Sequence, residues 1–325
     1  MITRSLFSSS KEFEIESLNE LLPLAKSLRE QDPLTPYIIS VKKCEVRGHI
    51  KFPYSNFYIK GNGSRLVDNL YANSLDEKGE ELSTWKTATL KVTGDNNIFE
   101  GLTVENDAGD PANKGQEVAL AVYGDNNLFY RCALISTQDT LFSGPLPDDL
   151  STRYINFIPE DERYREGNCR NYYVYCTIKG TVDFIFGAGQ ADFYYCDLVT
   201  LNDGRKTTYV CAPSHSLKDD FGYFFCHCNF TNENVGDNSI YLARPWRDYG
   251  KAVFYFCTYG PHIKKEGFSE WNNEQRWRTA RFEEYPLEDG RVFWTKNGKN
   301  DLPPSAYIEE EKILYKEYGD SIKKM

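Results

Sequence analysis

The sequence has few of the residues on which several common kinds of catalysis depend. Only 4 of its 325 residues are histidines, which leaves little room for histidine-based acid–base chemistry or for a histidine-rich metal site. The motifs G-x-S-x-G, H-E-x-x-H, G-x-x-x-x-G-K-[ST] and G-x-G-x-x-G do not occur. This elimination favours carboxylates as the catalytic groups.

The sequence also lacks a positive charge excess and a long hydrophobic run. Its net charge of −10 argues against binding to nucleic acid or to an anionic membrane through a general positive field. No stretch approaches the length of a transmembrane span. We therefore expect neither nucleic acid nor membrane as a partner, and nothing in the sequence indicates an oligomeric state.

A complete set of intrachain disulfides is impossible because the 9 cysteines are odd in number. The first ten residues contain no apolar run of signal-peptide length. These two features predict a cytoplasmic protein with reduced thiols; the alternative is a secreted protein from which a leader has been removed.

A repeat runs through the chain. The pattern Gly-Asp-Asn-Asn at residues 94–97 recurs at 124–127, and an aromatic-x-x-Cys signature then recurs at steps of 44, 20, 32 and 29 residues. Short strands at such steps indicate a solenoid, in which equivalent positions of successive coils stack and a column of buried cysteines is acceptable. The alternative is coincidence among common strand formers. The signature ends at Cys132, Cys176, Cys196, Cys228 and Cys257.

The cysteines on either side of His227 could also be interpreted as part of a metal site. A zinc site at Cys226, His227 and Cys228 is disfavoured, because alternation along a strand would put the two thiols on one face and the imidazole on the other.

At the two ends of the chain, the apolar spacing in residues 18–28 and in residues 308–322 is helical. An open solenoid needs covered ends, so we expect a helical cap within residues 1–35 and a C-terminal helix within residues 305–325.

Three segments hold polar residues that could carry chemistry. Asp183 lies in an apolar, strand-prone run bounded by glycines, where an unpaired carboxylate is costly. Asp139 lies in the similar segment Thr137-Gln-Asp-Thr-Leu. Arg244 precedes Pro-Trp and could pair with a carboxylate while Trp246 offers a stacking surface. From the residues alone, a turn-capping aspartate and an ordinary surface arginine are equally acceptable.

Taken in order, these segments resemble the signature blocks of the pectin methylesterases. The resemblance extends from about residue 84 to about residue 285 and is strongest at Gly-Thr-Val-Asp-Phe-Ile-Phe-Gly, residues 180–187. The other blocks are Gly115-Gln-Glu-Val-Ala-Leu, Thr137-Gln-Asp-Thr-Leu and Leu242-Ala-Arg-Pro-Trp, the last with Ala243 in place of a glycine. The resemblance implies an all-β, right-handed, single-stranded parallel β-helix with short helices near its ends, formed by residues 1–325 as one domain.

The resemblance also implies an aspartyl esterase that removes methyl groups from methyl-esterified galacturonate in pectin or oligogalacturonides, without a metal or organic cofactor. It makes Asp183 the nucleophile, held ionised by Arg244, and Asp139 the acid and then the base. Gln116 and Gln138 would donate hydrogen bonds to the oxyanion, and Trp246, Phe184 and Phe142 would contact the sugar. Two alternatives stay open: an inactive carbohydrate-binding β-helix of this family, and a pectate lyase-like enzyme.

The chain departs from the family pattern in the distance between its two aspartates. Asp139 and Asp183 are 44 residues apart, more than the family pattern leads us to expect. The additional residues are assigned to an insertion at 144–167, which is rich in prolines and acidic residues. An insertion between two catalytic segments could border the cleft, so it bears on substrate size more than on the chemistry.

Overall fold

The computed structural model describes residues 2–109, 114–163, 169–272, 275–286, 309, 311–314 and 316. Twenty-five short strands dominate these residues. In chain order they are β1 Glu12–Ile15, β2 Tyr37–Val41, β3 Glu45–Arg47, β4 Ile50–Phe52, β5 Phe57–Lys60, β6 Arg65–Asp68, β7 Leu90–Val92, β8 Ile98–Glu100, β9 Thr103–Asn106, β10 Leu120–Val122, β11 Leu128–Tyr130, β12 Ala133–Ile135, β13 Leu141–Ser143, β14 Arg170–Val174, β15 Thr177–Gly180, β16 Ile185–Gly187, β17 Gln190–Tyr194, β18 Asp197–Leu201, β19 Thr208–Pro213, β20 Tyr223–Cys226, β21 Asn229–Glu233, β22 Ile240–Ala243, β23 Lys251–Tyr255, β24 Thr258–Tyr259 and β25 Arg281–Tyr285.

The strands form three parallel sheets, and each complete coil adds one strand to each sheet in the same order. The first sheet has the order β1-β2-β5-β8-β11-β14-β17-β20-β23-β25, the second β24-β21-β18-β15-β12-β9-β6-β3, and the third β22-β19-β16-β13-β10-β7-β4. The molecule is therefore a right-handed parallel β-helix, as the sequence predicts. Turns between the same two sheets stack along the axis, so residues far apart in sequence become neighbours.

An aromatic column and a cysteine column run side by side inside the coil. The rings of successive coils are stacked with centroids 4.7–5.2 Å apart. Each thiol donates to the carbonyl of the aromatic residue one coil earlier, as Cys176 does to Phe129 at 3.3 Å and Cys228 to Phe193 at 3.4 Å. All nine cysteines are free. The predicted stacking of these cysteines inside the coil is confirmed, and the aromatic-x-x-Cys repeat marks the place where the first sheet passes into the second.

The expectation that Cys226 and Cys228 face the same side is wrong. Cys226 ends β20 and packs with the outer cluster that includes Tyr194 and Phe224, whereas Cys228 packs in the interior. The reason is that His227 has a left-handed backbone with φ 51°, which interrupts the alternation of a strand. The imidazole stacks on Tyr195 with centroids 5.3 Å apart.

The Gly-Asp-Asn-Asn repeat forms the turns from the third sheet into the first. The side-chain oxygens of Asn97, Asn127 and Asn171 accept hydrogen bonds from the backbone N–H of Phe57, Asn97 and Asn127 at 2.9–3.0 Å. Each asparagine thus caps the turn one coil earlier. Buried backbone groups need such partners, which is why the motif repeats.

The helices lie at the beginning, at the end and within the predicted insertion. Helix α1, Leu21–Gln31, lies within residues 1–35 together with β1, and it buries Leu21, Ala25 and Leu28 against the main core. Helices α2, Asp148–Arg153, and α3, Glu160–Arg163, lie in the insertion. Of the predicted C-terminal helix, residues 309, 311–314 and 316 are helical and its other residues lie outside those described. No described helix is long and apolar enough to cross a membrane. Four 3₁₀ turns complete the set: Arg4–Phe7, Leu18–Glu20, Thr84–Lys86 and Arg276–Arg278.

Candidate active site

Asp139 and Asp183 occupy equivalent turns of successive coils, each between the second and third sheets. Both have left-handed backbones, with φ 64° and 47°, a conformation that aspartate tolerates better than most residues. The N–H of Asp139 donates to Val182 O at 3.2 Å, and the N–H of Asp183 donates to Tyr209 O at 2.8 Å. Each aspartate is 8% exposed. The stacking of coils therefore brings the two carboxylates together, although 44 residues separate them.

Arg244 holds Asp183 through a two-pronged ion pair. Its Nε donates to Asp183 Oδ1 at 2.9 Å and its Nη2 donates to Asp183 Oδ2. The guanidinium lies 3.9 Å from the ring centroid of Tyr209 and 4.0 Å from that of Trp271. Because arginine combines bidentate pairing with stacking on aromatic rings, this contact fixes both the position and the orientation of the Asp183 carboxylate.

The two carboxyl groups differ in acidity. Burial raises the pKa of Asp139 well above its ordinary value, and the negative charge of Asp183 raises this pKa further. Burial also raises the pKa of Asp183, but the Arg244 guanidinium opposes that rise. The cation thus acts in the expected direction on the pKa of Asp183, although burial outweighs it. The contact with Arg244 thus favours ionisation of Asp183 before that of Asp139.

Gln116 and Gln138 lie beside the aspartates, each with its amide oxygen already engaged. Thr84 Oγ1 donates to Gln116 Oε1 at 3.1 Å, and Arg205 Nη2 donates to Gln138 Oε1 at 3.1 Å. The amide nitrogen of each glutamine carries two N–H donors, and Gln138 already makes a side-chain hydrogen bond to Asp139. Both side chains can therefore offer hydrogen bonds to an oxygen placed near the carboxylates.

These groups surround one cavity of about 290 Å³. Its size is near the lower end of the range for small-molecule sites, roughly 300–1,000 Å³. The charged side chains among the described lining residues are the two aspartates and one arginine. The full lining consists of Thr84, Trp85, Gln116, Gln138, Asp139, Tyr154, Asp183, Phe186, Ala212, Arg244, Trp246 and Trp271.

Two of the predicted sugar contacts are wrong. Phe184 is 0% exposed and packs in the interior of the coil, because the chain turns inward directly after the left-handed Asp183. Phe142 is on the outer face of the third sheet but is covered by the rings of Trp85 and Tyr123, with centroids 5.2 and 5.3 Å away. Neither ring lines the cavity, whereas Trp246 does, as predicted.

Four lining aromatic residues were not predicted: Trp85, Tyr154, Phe186 and Trp271. Phe186 could have been found from its motif, because strand alternation from the buried Ile185 turns it outward. Trp85, Tyr154 and Trp271 come from loops, and no periodicity in the sequence marks where a loop folds back over a sheet.

A possible metal-ligand group among the described residues lies elsewhere. Cys226, His227 and Glu311 bring their ligand atoms within 4.8 Å of one another. None of the three lines the cavity that holds the aspartates. His227 Nε2 lies 3.2 Å from Glu311 Oε1, a contact that joins the C-terminal segment to the end of the first sheet.

Comparison with known proteins agrees with this architecture. The pectinesterase family model matches residues 14–145 and 160–296. Pectinesterase QRT1 of Arabidopsis thaliana is 31% identical over 266 residues, which cover 77% of this chain and 61% of that protein. The probable pectinesterase/pectinesterase inhibitors 64 and 17 of the same plant are matched over only 42% and 47% of their lengths. The chain thus spans about two fifths to three fifths of these curated relatives.

Solved structures of pectin methylesterases share the fold. The enzyme from Yersinia enterocolitica has a TM-score of 0.70 and 25% identity, covering 90% of this chain and 96% of that one. A pectin methylesterase in complex with a hexasaccharide has a TM-score of 0.70 and 24% identity, covering 93% and 94%. The family model covers well over half of the residues, and the chain belongs to the pectinesterase family. The interruption of that match, residues 146–159, lies inside the predicted insertion.

Proposed function

We propose that the protein is an aspartyl esterase that hydrolyses methyl esters of galacturonate in pectin or oligogalacturonides and releases methanol. The observation that carries this proposal is the pairing of Arg244 with Asp183 beside a second, more basic carboxyl group in one cavity. Membership of the pectinesterase family supports the substrate class. The hexasaccharide bound by a pectin methylesterase of the same fold supports an oligosaccharide ligand.

In the proposed mechanism Asp183 is the nucleophile. Arg244 orients its carboxylate, which attacks the ester carbonyl and forms an acyl-enzyme anhydride through a tetrahedral oxyanion. Gln116 and Gln138 donate hydrogen bonds to that oxyanion. Asp139, protonated because its pKa is raised, donates its proton to the departing methoxide.

The second half of the reaction reverses the role of Asp139. As a carboxylate it takes a proton from water, and the resulting hydroxide attacks the anhydride. Cleavage releases galacturonic acid, which loses its proton to the solvent, and restores ionised Asp183 and protonated Asp139. Trp246 borders the sugar.

A lyase on this scaffold would need a base that removes a proton from the sugar. Among the described residues that line the cavity, the basic side chain is Arg244, and its guanidinium is already occupied by two hydrogen bonds to the Asp183 carboxylate. This favours hydrolysis over elimination. The cytoplasmic location stays a prediction from the sequence. The oligomeric state stays an open question.

The test is product analysis on methyl-esterified oligogalacturonide. The proposal expects methanol in step with new carboxylates, and no ultraviolet-absorbing unsaturated product. An unsaturated product without methanol would mean a lyase, and binding without either product would mean an inactive carbohydrate-binding protein.

A further inference from the structure

The segment that the family model does not match, residues 146–159, supplies one wall of the cavity. Tyr154 directly follows helix α2 and lines the cavity, and its ring lies 5.2 Å from that of Trp85. Trp85 precedes β7, while Asp139 and Asp183 precede β13 and β16. The order of the third sheet therefore places the Trp85–Tyr154 wall on the side of the cavity that faces the N-terminal coils.

The opposite side of the cavity is close to this wall. Trp246 follows β22 and its ring lies 6.2 Å from that of Phe186. The ring of Phe142, which does not itself line the cavity, lies 5.2 Å from Trp85 and 5.1 Å from Phe186. Phe142 and Phe186 belong to neighbouring strands, which are about 4.8 Å apart in any sheet. Of these two rings, Phe186 lines the cavity between the two walls, and Phe142 packs between Trp85 and Phe186 behind it.

The inserted segment also joins the two walls. Asp149 Oδ2 accepts from Arg247 Nε at 2.7 Å, and Arg247 is the residue directly after Trp246. Leu150 and Ile158 are 0% and 2% exposed, so the segment packs firmly on the outer face of the third sheet. A groove that crossed the sheet would be open at both ends, whereas this cavity is bridged by a segment of the chain.

A further ion-pair cluster fastens the end of the insertion to the coils. Glu162 lies 2.8 Å from Lys91 Nζ and 3.1 Å from Lys51 Nζ. Glu162 is 3% exposed, and breaking a buried charge pair by removing one partner is strongly destabilising. The wall is therefore a fixed part of the fold.

We propose that residues 146–159 convert the sugar-binding groove into a pocket that accepts the esterified residue of a short oligogalacturonide or of a chain end, and that Tyr154 is a specificity-determining contact in it. This inference rests on the proposed esterase activity. A long polymer has to extend in both directions from the reacting residue, and the bridged wall blocks that extension. A short chain needs a path on one side alone.

The test compares a methylated trigalacturonate with long pectin of the same degree of methylation. Wild-type protein should show a kcat/KM per ester about tenfold or more higher for the trimer, the size of effect that one specificity contact provides. Tyr154→Ala should remove most of this preference, mainly by raising KM for the trimer. Tyr154→Phe, which keeps the ring, should retain the preference.

Two further variants make the test independent of folding defects. Phe157→Ala truncates another aromatic residue of the same segment, which is 41% exposed and does not line the cavity, and it should keep the wild-type ratio. Asp149→Ala breaks the bridge from a 61% exposed side chain and should increase relative activity on the polymer. Equal kcat/KM on both substrates in the wild type, or a ratio unaffected by Tyr154→Ala and Asp149→Ala, would overturn the inference while leaving the esterase activity standing. Absence of methanol from both substrates would instead refute the esterase proposal.

Discussion

Asp139 and Asp183 show how two residues of one type acquire different properties from their neighbours. They occupy equivalent stacked turns with the same left-handed backbone and the same exposure. Arg244 contacts Asp183 through both carboxylate oxygens, whereas burial and the charge of Asp183 act on Asp139 in the same direction. The division into a nucleophile and an acid therefore depends on one arginine delivered by β22, the third-sheet strand two coils further along the chain.

Asp139→Asn should stabilise the protein at neutral pH. A carboxyl group whose folded-state pKa is raised contributes stability below its unfolded pKa, and that contribution is lost as pH rises towards the folded pKa. An uncharged asparagine avoids this loss. The melting temperature of Asp139→Asn should thus exceed that of the wild type, and the difference should grow with pH. The corresponding difference in the free energy of unfolding grows by at most about 1.4 kcal/mol per pH unit.

Thermal unfolding between pH 4 and pH 8 measures this margin. Asp220→Asn, on an exposed aspartate outside the cavity, is the control and should follow the wild type. A margin that shrinks as pH rises would show that Asp139 is ionised in the folded protein, contrary to its role as an acid.

Gln116→Ala and Gln138→Ala should each lower kcat and kcat/KM together. Their amides are proposed to bond an oxyanion that exists only in the transition state, and loss of such a donor typically costs about 2.7–4 kcal/mol. Steady-state methanol release over a range of substrate concentrations separates the two parameters. A rise in KM with unchanged kcat would instead make these glutamines ground-state binding residues.

The turns between sheets are the elements that the sequence repeat describes. In the turns that end at Asn97 and Asn127, the preceding glycines Gly94 and Gly124 lie very close to the coil before them. A Cβ added to Gly124 would lie 1.9 Å from the carbonyl oxygen of Gly94, one coil earlier. Since that oxygen belongs to backbone, it cannot move aside as a flexible side chain would.

Gly124→Ala should therefore destabilise the β-helix by about 1–3 kcal/mol or more, the usual cost of overpacking a buried site. Gly236→Ala is the matched control, because nothing lies within 4 Å of the added Cβ there. The measurement is the midpoint of urea unfolding for both variants. Equal midpoints would show that the coils separate readily at this turn, against the packing described above.

The strands and turns were largely predictable from the sequence, whereas the packing of the insertion was not. The repeat predicts the solenoid because stacking imposes the same residue at the same position of each coil, as with Cys176 and Cys196. The motifs bring Asp139 and Asp183 together because equivalent turns stack, and Arg244 reaches Asp183 from the end of β22. The wall formed by Tyr154 was beyond prediction, since its place depends on how an insertion packs over distant strands. Phe184 was misassigned because motif membership does not reveal which way a side chain turns after a left-handed residue.

Across the whole molecule, the negative charge bears on the choice of substrate. The net charge is −10, and the charged side chains among the described lining residues are two aspartates and one arginine, which is paired with Asp183. De-esterified galacturonan carries a carboxylate on each sugar, so it should be repelled at low salt, while a highly methylated chain is nearly neutral.

We expect kcat/KM to rise with the degree of methylation. The preference should weaken as salt rises, because the screening length falls from about 30 Å at 0.01 M to about 10 Å at 0.1 M. Assays on oligogalacturonides of graded methylation at the two salt concentrations measure this. A preference for sparsely methylated chains that weakens with added salt would show that the cleft attracts anions.

The most direct test of the proposed esterase mechanism is methanol release by Asp183→Asn on methyl-esterified oligogalacturonide. The variant keeps the shape of the side chain and removes the nucleophilic carboxylate, so circular dichroism should match the wild type while turnover falls on the order of a thousandfold or more. Asp220→Asn, on an exposed aspartate far from the motifs, should keep full activity. A folded Asp183→Asn protein whose rate stays within about tenfold of the wild type, a barrier change of only about 1.4 kcal/mol, would contradict the assignment of Asp183 as the nucleophile.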